Sequence, residues 1–557
     1  MRIAFASLLL LAAGAAPQDD EDLIFRVLRD ERQRSLARLK LEKSGPPYYL
    51  EYTVTESESF QINGSFGAVT GRGGGKSRYC SIDLRVGDRT LDNTNFAGAS
   101  SGGGTSLTVD DDYDALRHEL WLATDREYKS SIEELEKKKA FLQQNTVQDR
   151  PDDMTVEEPV VLIRPTVKLE VDRDKWSATV RKVSAVFRDF PKIQKSMVTF
   201  YSRSESKWFL NNEGFKNRGG EVSFALVIGA LIQADDGMKL SDAELFAGAT
   251  DKDLPTPEAA EKAARDLAKR LEQLAAAPKV EEYRGPILFE GQSGAEFFAL
   301  ALTSQLGSSH EQLGRGGSGG NPWREQIGQR VTSAFISVIS DPTAREFNGA
   351  PILGGYDVDD DGVRGQKLTL IDKGVLKTFC MSRIPTRNIK KSNGHSRDGV
   401  GGPSTIFIES AKKLPREELM KRLFELGKDE GLTHVYVVRK LANPAAASLD
   451  YQTFYQGMMD ARGPVRLLPP IQLYRVNVED GKEELVRGAR FGNISLRILR
   501  DIKATGDDAK PRLAFGRSTD PGMVVAPSVL ISEIEISKPG KETEKLPSYP
   551  HPFFEGK

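Results

Sequence analysis

The segment TPEAAEKAARDLAKRLEQLAAA, residues 256–277, constrains this chain more than any other stretch, because it closes one folding unit. Thr256 can accept from the first free backbone N–H groups, and Pro257 suits the first helical position. The Ala-Pro-Lys that follows stops the helix and marks a boundary near residue 280. A chain of 557 residues is too long for one ordinary core, so two domains are expected. Before the boundary, residues 21–43 place Leu23, Ile24, Val27, Leu28, Leu36, Leu39 and Leu41 at helical spacing. Strand-like alternation follows from Tyr48, a charged helical pattern covers 113–142, and 195–233 alternates again. The Gly-rich pieces GRGGGK and GASSGGGTS read as mobile loops, and the first is not a phosphate loop, since it lacks a Gly-Lys-Ser/Thr ending on a helix. After the boundary come hairpins, with Asp372-Lys373-Gly374 and Glu479-Asp480-Gly481 as turns, around a helix (414–427) and the strand HVYVVRKL. Parallel alternation is not sustained in either half. The expected class is α+β in two domains, the C-terminal one built on a large, mainly antiparallel β-sheet.

The first residues, MRIAFASLLLLAAGAAPQDD, carry Arg2, an apolar run from Ile3 to Ala13, and small residues ahead of Asp19. That is the layout of a secretory signal cut after Ala15 or Ala16. It predicts export to a periplasm or the extracellular space. No other apolar stretch reaches the length of a membrane span, so no stable membrane span is expected. With 78 Lys+Arg against 80 Asp+Glu the chain has no basic excess, which argues against a nucleic-acid partner. Cys80 and Cys380 are too few for a cysteine-rich metal site; unpaired thiols are the plain expectation, although spacing leaves a disulfide open. The expected divisions are a signal peptide (1–16), an N-terminal extension of helices and strands (17–180), the rest of an N-terminal α+β domain (181–280), a C-terminal domain (281–540) and a tail (541–557).

Three stretches look like chemistry. The first, GPILFEGQSGAEFF (285–298), is a strand that breaks at Gly291 and turns into a helix. Zinc peptidases place a His-Glu pair at such a corner and a second His about one turn later, so that both imidazoles face one ion and the glutamate acts as general base. Here Glu290 is present without the histidines. His118-Glu119 is half of such a motif, but Leu122 and Ala123 stand where the second His belongs. Asp357, Asp359, Asp361 and Gly362 copy the start of a calcium loop, yet the twelfth position is Leu368 and the flanks are strand-like. An acidic hairpin turn is the better reading. Ser293, in Gly-Gln-Ser-Gly, is a candidate nucleophile without a placed base.

GPILFEGQSGAEFF, YDVDDDGVRGQKLTLIDKGVLKTFCMSR, KSNGHSRDGVGG, LYRVNVEDGKEELVRGARFGNISLRILRDIKATG and MVVAPSVLISEIEIS follow the order and spacing of the TldD/PmbA family, which the chain resembles over roughly 180–540. LNNEGF at 210–215 is similar to the family's Asn-x-Glu-Gly turn. The resemblance implies a zinc peptidase scaffold with His-Glu-x-x-x-His at the corner and a cysteine ligand near the C-terminus. Carried over, the histidine positions fall on Phe289 and Gly294, the general base on Glu290, and the third ligand near RLAFGRSTDPG, which has no cysteine. The implied cofactor, zinc, is thus not expected, and the chain is closest in character to the metal-less PmbA/TldE-type subunits. The resemblance implies a homologue that binds an extended peptide or unfolded segment, as a homodimer or as a heterodimer with a zinc-bearing homologue; the signal segment, in which the chain departs from the family, adds export. Asn393, Gly394 and His395 are the implied substrate-binding rim. The alternatives are a hydrolase using Glu290 with Ser293 or His395, and a structural envelope protein.

Overall fold

A computed structural model describes residues 22–41, 45–98, 102–308, 312–314, 321–450, 464–513 and 522–538. The proposed signal segment and the tail lie outside the described residues.

The alternation at 49–65 and 193–233 builds a seven-stranded sheet. Its order is Gly103–Leu107, Ala68–Arg85, Tyr49–Ser65, Ile193–Asn211, Lys216–Gln233 and Val161–Ile163, with Lys239–Gly248 also on Lys216–Gln233. Four of the strands have 17 to 19 residues. All pairings are antiparallel except that of Val161–Ile163. Along Tyr49–Ser65 the period of two puts Leu50, Tyr52, Val54, Phe60 and Ile62 on one buried face. Thr53, Thr55, Ser57, Ser59, Gln61 and Asn63 occupy the other face and stay half-exposed.

Four helices cover the apolar face. α1 (Leu23–Arg38) and α2 (Tyr113–Gln144) pack on Leu50, Tyr52, Val54 and Trp208 at one end. α3 (Arg173–Ala185) and α4 (Pro257–Ala276) pack on Phe60, Ile62, Phe200 and Leu226 at the other. The cap read from sequence is present: Thr256 Oγ1 accepts from the N–H of Ala259 at 3.3 Å.

GRGGGK is not a loop. It lies within strand Ala68–Arg85, where Gly71 to Gly75 pair with Asn63 to Ser59. A run of glycines broken only by Arg72 and Lys76 leaves no hydrophobic period to read, whereas the backbone ladder forms regardless. Part of GASSGGGTS is likewise strand, since Gly103–Leu107 forms the sheet edge; residues 99–101 lie outside the described ones.

The second half is α+β and built on large, mainly antiparallel sheet structure, as expected, but divided into two main sheets. A six-stranded sheet runs Val375–Leu376, Leu368–Asp372, Ile336–Ser340, Ile406–Ser410, Met523–Ala526, Lys510–Leu513. An eight-stranded sheet runs Lys413–Leu414, Ile502–Gly506, Val529–Ser537, Tyr283–Phe289, His434–Leu441, Pro470–Asn477, Glu483–Val486, with Arg490–Phe491 on Val529–Ser537. Most pairings are antiparallel; Tyr283–Phe289 with His434–Leu441 is parallel. α5 (Gln292–Leu306) lies between the sheets, its Ala295, Phe297, Phe298 and Leu302 in a core with Ile287, Val529, Val338 and Ile406. α6 (Arg416–Asp429) covers the far face of the larger sheet through Leu419 and Leu423.

The acidic stretch at 357–362 is a turn, as its strand-like flanks implied. The Asp359 carboxylate accepts from the backbone N–H groups of Asp361 (3.1 Å), Val363 (2.8 Å) and Ser396 (2.8 Å). The turn joins the halves: Val363 packs with Val160, Phe209 and Phe215. Beside it Arg383 reaches into the first half, with Glu213 Oε2 at 2.7 Å and the carbonyl of Thr155 at 2.9 Å.

Candidate functional site

Strand Tyr283–Phe289 ends where its parallel neighbour continues. The Glu290 N–H donates to the carbonyl of Val438 at 2.8 Å, so Arg439, one residue on, comes level with Glu290. Arg439 Nε donates to Glu290 Oε2 at 2.6 Å, and Arg416, at the start of α6, donates to Oε1. Arg439 also pairs with Glu483 at 2.8 Å and lies 4.3 Å from the Tyr474 ring centroid. Burial by itself would raise the Glu290 pKa. The hydrogen bonds and charges of Arg439 and Arg416 outweigh it and hold the carboxyl below its usual range. A carboxylate with both oxygens on guanidinium groups is a weak base, since taking a proton means giving up a charge-assisted bond.

The residues on either side of Glu290 do not fit a metal. Phe289 is fully buried, with ring centroids 5.0 Å from Phe297 and 5.9 Å from Phe491. At Gly294 even a Cβ would lie 2.4 Å from the carbonyl oxygen of Pro527 and 3.0 Å from Ser528 Cα. A side chain there would have to displace backbone. Phe289 ends the strand and Gly294 lies in the first turn of α5, so the two positions flank the corner with a phenyl ring and no side chain, neither of which can coordinate a metal. α5 itself contains neither His nor Cys. Among the described residues no group of three or more His, Cys, Asp or Glu side chains is arranged to hold a metal ion. Of the C-terminal stretch RLAFGRSTDPG, residues 514–521 lie outside the described ones.

The corner is latched from a second side. The Gly291 N–H donates to Ser528 Oγ at 2.7 Å, and that hydroxyl donates to Asp508 Oδ2 at 2.6 Å. Ser293 is buried, and its hydroxyl donates to the carbonyls of Val438 (2.6 Å) and Glu290 (3.1 Å). Its proton is therefore spent on the backbone, and among the described residues no histidine pairs with it. Ser293 ties the helix start to the sheet.

The loop 391–402 also differs from its sequence reading. Asn393 accepts from the Met381 N–H (2.8 Å) and donates to the Phe379 carbonyl (2.8 Å). His395 is fully buried, with Nε2 2.9 Å from Ser340 Oγ and Nδ1 3.0 Å from the Asn393 carbonyl oxygen. Burial drives its pKa down to about 4, against the opposing effect of the Asn393 carbonyl. Gly394 is buried too, and a Cβ on it would sit 1.9 Å from the Arg364 carbonyl oxygen. These three residues hold the loop together and do not form a rim. What the loop displays is the hairpin Ser396–Arg397 with Val400–Gly401, where Val400 is 50% exposed.

The remaining sequence candidates are apart from the corner. His118 is exposed on α2, and Glu119 accepts from the Thr108 N–H. Cys80 and Cys380 are buried and unpaired, and burial pushes both thiols well above their ordinary range. The Arg416–Arg439 clamp and the Ser528–Asp508 latch were not found from sequence. Their only trace is Arg439 breaking the apolar run of HVYVVRKL, and its meaning depends on a parallel pairing across about 150 residues.

Residues 282–459 match the profile of the PmbA/TldA metallopeptidase C-terminal domain. Among curated proteins, a metalloprotease of Archaeoglobus fulgidus is 31% identical over 187 residues, which is 32% of this chain and 36% of that protein. A TldD metalloprotease homologue of Buchnera aphidicola (subspecies Acyrthosiphon pisum) is 30% identical over 213 residues, 36% and 38% respectively. A metalloprotease of Methanocaldococcus jannaschii is 41% identical over 61 residues, 12% of its length. The matched segments thus span well under half of these relatives. By fold, a Thermotoga maritima protein described as a modulator of a DNA gyrase has a TM-score of 0.59 at 15% identity, over 92% of this chain and 100% of that one. TldE from Thermococcus kodakarensis has 0.56 at 13% identity, over 92% and 100%. The class is therefore a metallopeptidase-like α+β scaffold. Residues 282–459 match the family's C-terminal domain, and the chain is similar to the TldD/PmbA family in sequence there and in fold over most of its length.

Proposed function

We propose that this chain is a non-hydrolytic, exported member of the family that binds extended polypeptide, acting alone or as the zinc-less partner of a metal-bearing homologue. The observation that carries the reading is the clamped corner: Glu290 is neutralised by two arginines, and the flanking positions are filled by Phe289 or closed by Pro527. A scaffold kept without that chemistry keeps a use for its surfaces. The helix-free face of the first sheet offers a row of Thr, Ser, Gln and Asn side chains, bordered by Arg203, Glu205 and Lys207 on the next strand. The hydroxyls and amides of such a row can hydrogen-bond to a peptide's backbone groups and so ask little of the peptide's own side chains. In the loop 391–402, contact falls on Arg397 and Val400 rather than on Asn393 or His395.

The test uses a permanently unfolded, carboxymethylated polypeptide as probe, read by fluorescence anisotropy and by gel. Binding without cleavage, unchanged by a chelator, is the expected result. Cleavage lost in Glu290→Gln would instead establish a hydrolase, and absence of any binding would favour a structural envelope protein. Export predicts that native protein begins after residue 15 or 16; N-terminal sequencing that starts at Met1 overturns it.

A further inference from the structure

Away from the corner, a cavity of about 300 Å³ opens between the end of α2 and the second half, next to 321–327 and 379–388. Its wall is apolar where Phe141, Ile327 and Phe379 meet. Phe379 belongs to the main core with Ile327 against it, and Phe141 is braced edge-on by Phe96 at 5.7 Å between ring centroids. The guanidinium-bearing residues Arg150, Arg324 and Arg387 line the same space. Glu325 is the one carboxylate among the described lining residues, so positive charge predominates. Arg387 is exposed, and its only described hydrogen bond goes to a backbone carbonyl, that of Gln148 at 3.3 Å. Arg150 is held in place by Pro151 O and Asp153 Oδ2, each at 3.3 Å.

The volume is at the lower end for small-molecule sites, which begin at about 300 Å³, and the combination of an apolar wall with a few convergent polar groups is their usual make-up. Guanidinium groups favour planar carboxylates, which they can grip through two parallel bonds. We propose that this cavity binds a monocarboxylate on a short apolar chain, with the chain against Phe141, Ile327 and Phe379 and the carboxylate at Arg387. The proposal is independent of the corner and of polypeptide binding at the first sheet. The carboxylate could come from a free medium-chain acid or from a peptide that ends in an apolar residue. Both share this chemistry.

Calorimetry on the full chain with octanoate, octanol and N-acetyl-leucine tests it. Octanoate should bind saturably at one site per chain, and octanol at least about tenfold more weakly, because it forfeits the charge-assisted bonds. Arg387→Glu, an exposed change, should weaken octanoate by a similar factor and leave thermal melting and octanol binding unaltered. N-acetyl-leucine binding more tightly than octanoate would assign the natural carboxylate to a peptide end, and the reverse to a free acid; either supports the site. No saturable octanoate binding, octanol equal to octanoate, or an indifferent Arg387→Glu variant would overturn it.

Discussion

Replacing Arg383 by Met tests how the two halves are joined. Arg383 is 2% exposed and sends its guanidinium from the second half into the first. There it meets Glu213 at 2.7 Å and the Thr155 carbonyl at 2.9 Å, and it stands 5.4 and 5.2 Å from the ring centroids of Tyr49 and Phe215. Its own backbone is fixed as well: the Arg383 N–H donates to Asp361 Oδ2 at 2.8 Å, and its carbonyl accepts from Thr155 N–H at 2.8 Å. Removing one partner of a buried ion pair costs roughly 3–5 kcal/mol. Met refills much of the volume, and Glu213 keeps its second partner, Arg89. The expected loss is therefore at the lower end, about 3 kcal/mol. Urea unfolding followed by tryptophan fluorescence reads it. A double-mutant cycle with Glu213→Gln isolates the pair, and a coupling of about 1–3 kcal/mol is expected. A total loss below about 1 kcal/mol, or full additivity in the cycle, would refute the idea that this arginine pins the halves together.

Other outcomes follow from the corner and the loop. Gly294→His should destabilise the chain by at least about 2 kcal/mol, because its Cβ meets backbone at 2.4 Å, and melting in a thermal scan checks this. Glu290→Gln should cost about 1 kcal/mol at neutral pH, a figure kept small because Arg416 is largely solvated. The folded-state pKa of Glu290 is depressed, so its contribution is present above the ordinary carboxyl range and fades as pH falls through the folded value; the variant and parent should converge in acid. A gap that persists at low pH would contradict the ion-pair account. His395 is shifted from 6.5 to about 4, so the unfolded chain binds more protons between those values and stability should fall by roughly 3 kcal/mol as pH drops through that window. His395→Asn should flatten that slope, measured by urea midpoints at stepped pH.

Much of the scaffold is legible in the chain because local signals and tertiary structure agree. Thr256-Pro257 starts α4, the long alternation at 195–233 becomes the two strands 193–211 and 216–233, and Lys373-Gly374 turns the hairpin. What escaped has a common cause. Gly71 to Gly75 form a strand through pairing alone, with no apolar side chain to show a period. The division of the second half into two sheets depends on which strands pair, and alternation does not encode partners. Asn393 and His395 look like exposed loop residues by composition, yet their polar atoms are spent on Met381, Phe379 and Ser340. At the corner, the sequence identified Glu290 but not its fate. That is decided by Arg416 and Arg439, more than 100 residues away.

The central claim is that the corner around Glu290 has no use for zinc. Metal analysis of the native, untagged chain, purified without chelator and then dialysed against added zinc, tests it most directly. The clamped corner predicts zinc far below one equivalent per chain, with no change in unfolding midpoint when zinc is supplied. One tightly held zinc per chain that survives dialysis, lost together with stability or peptide cleavage on chelation, would contradict it.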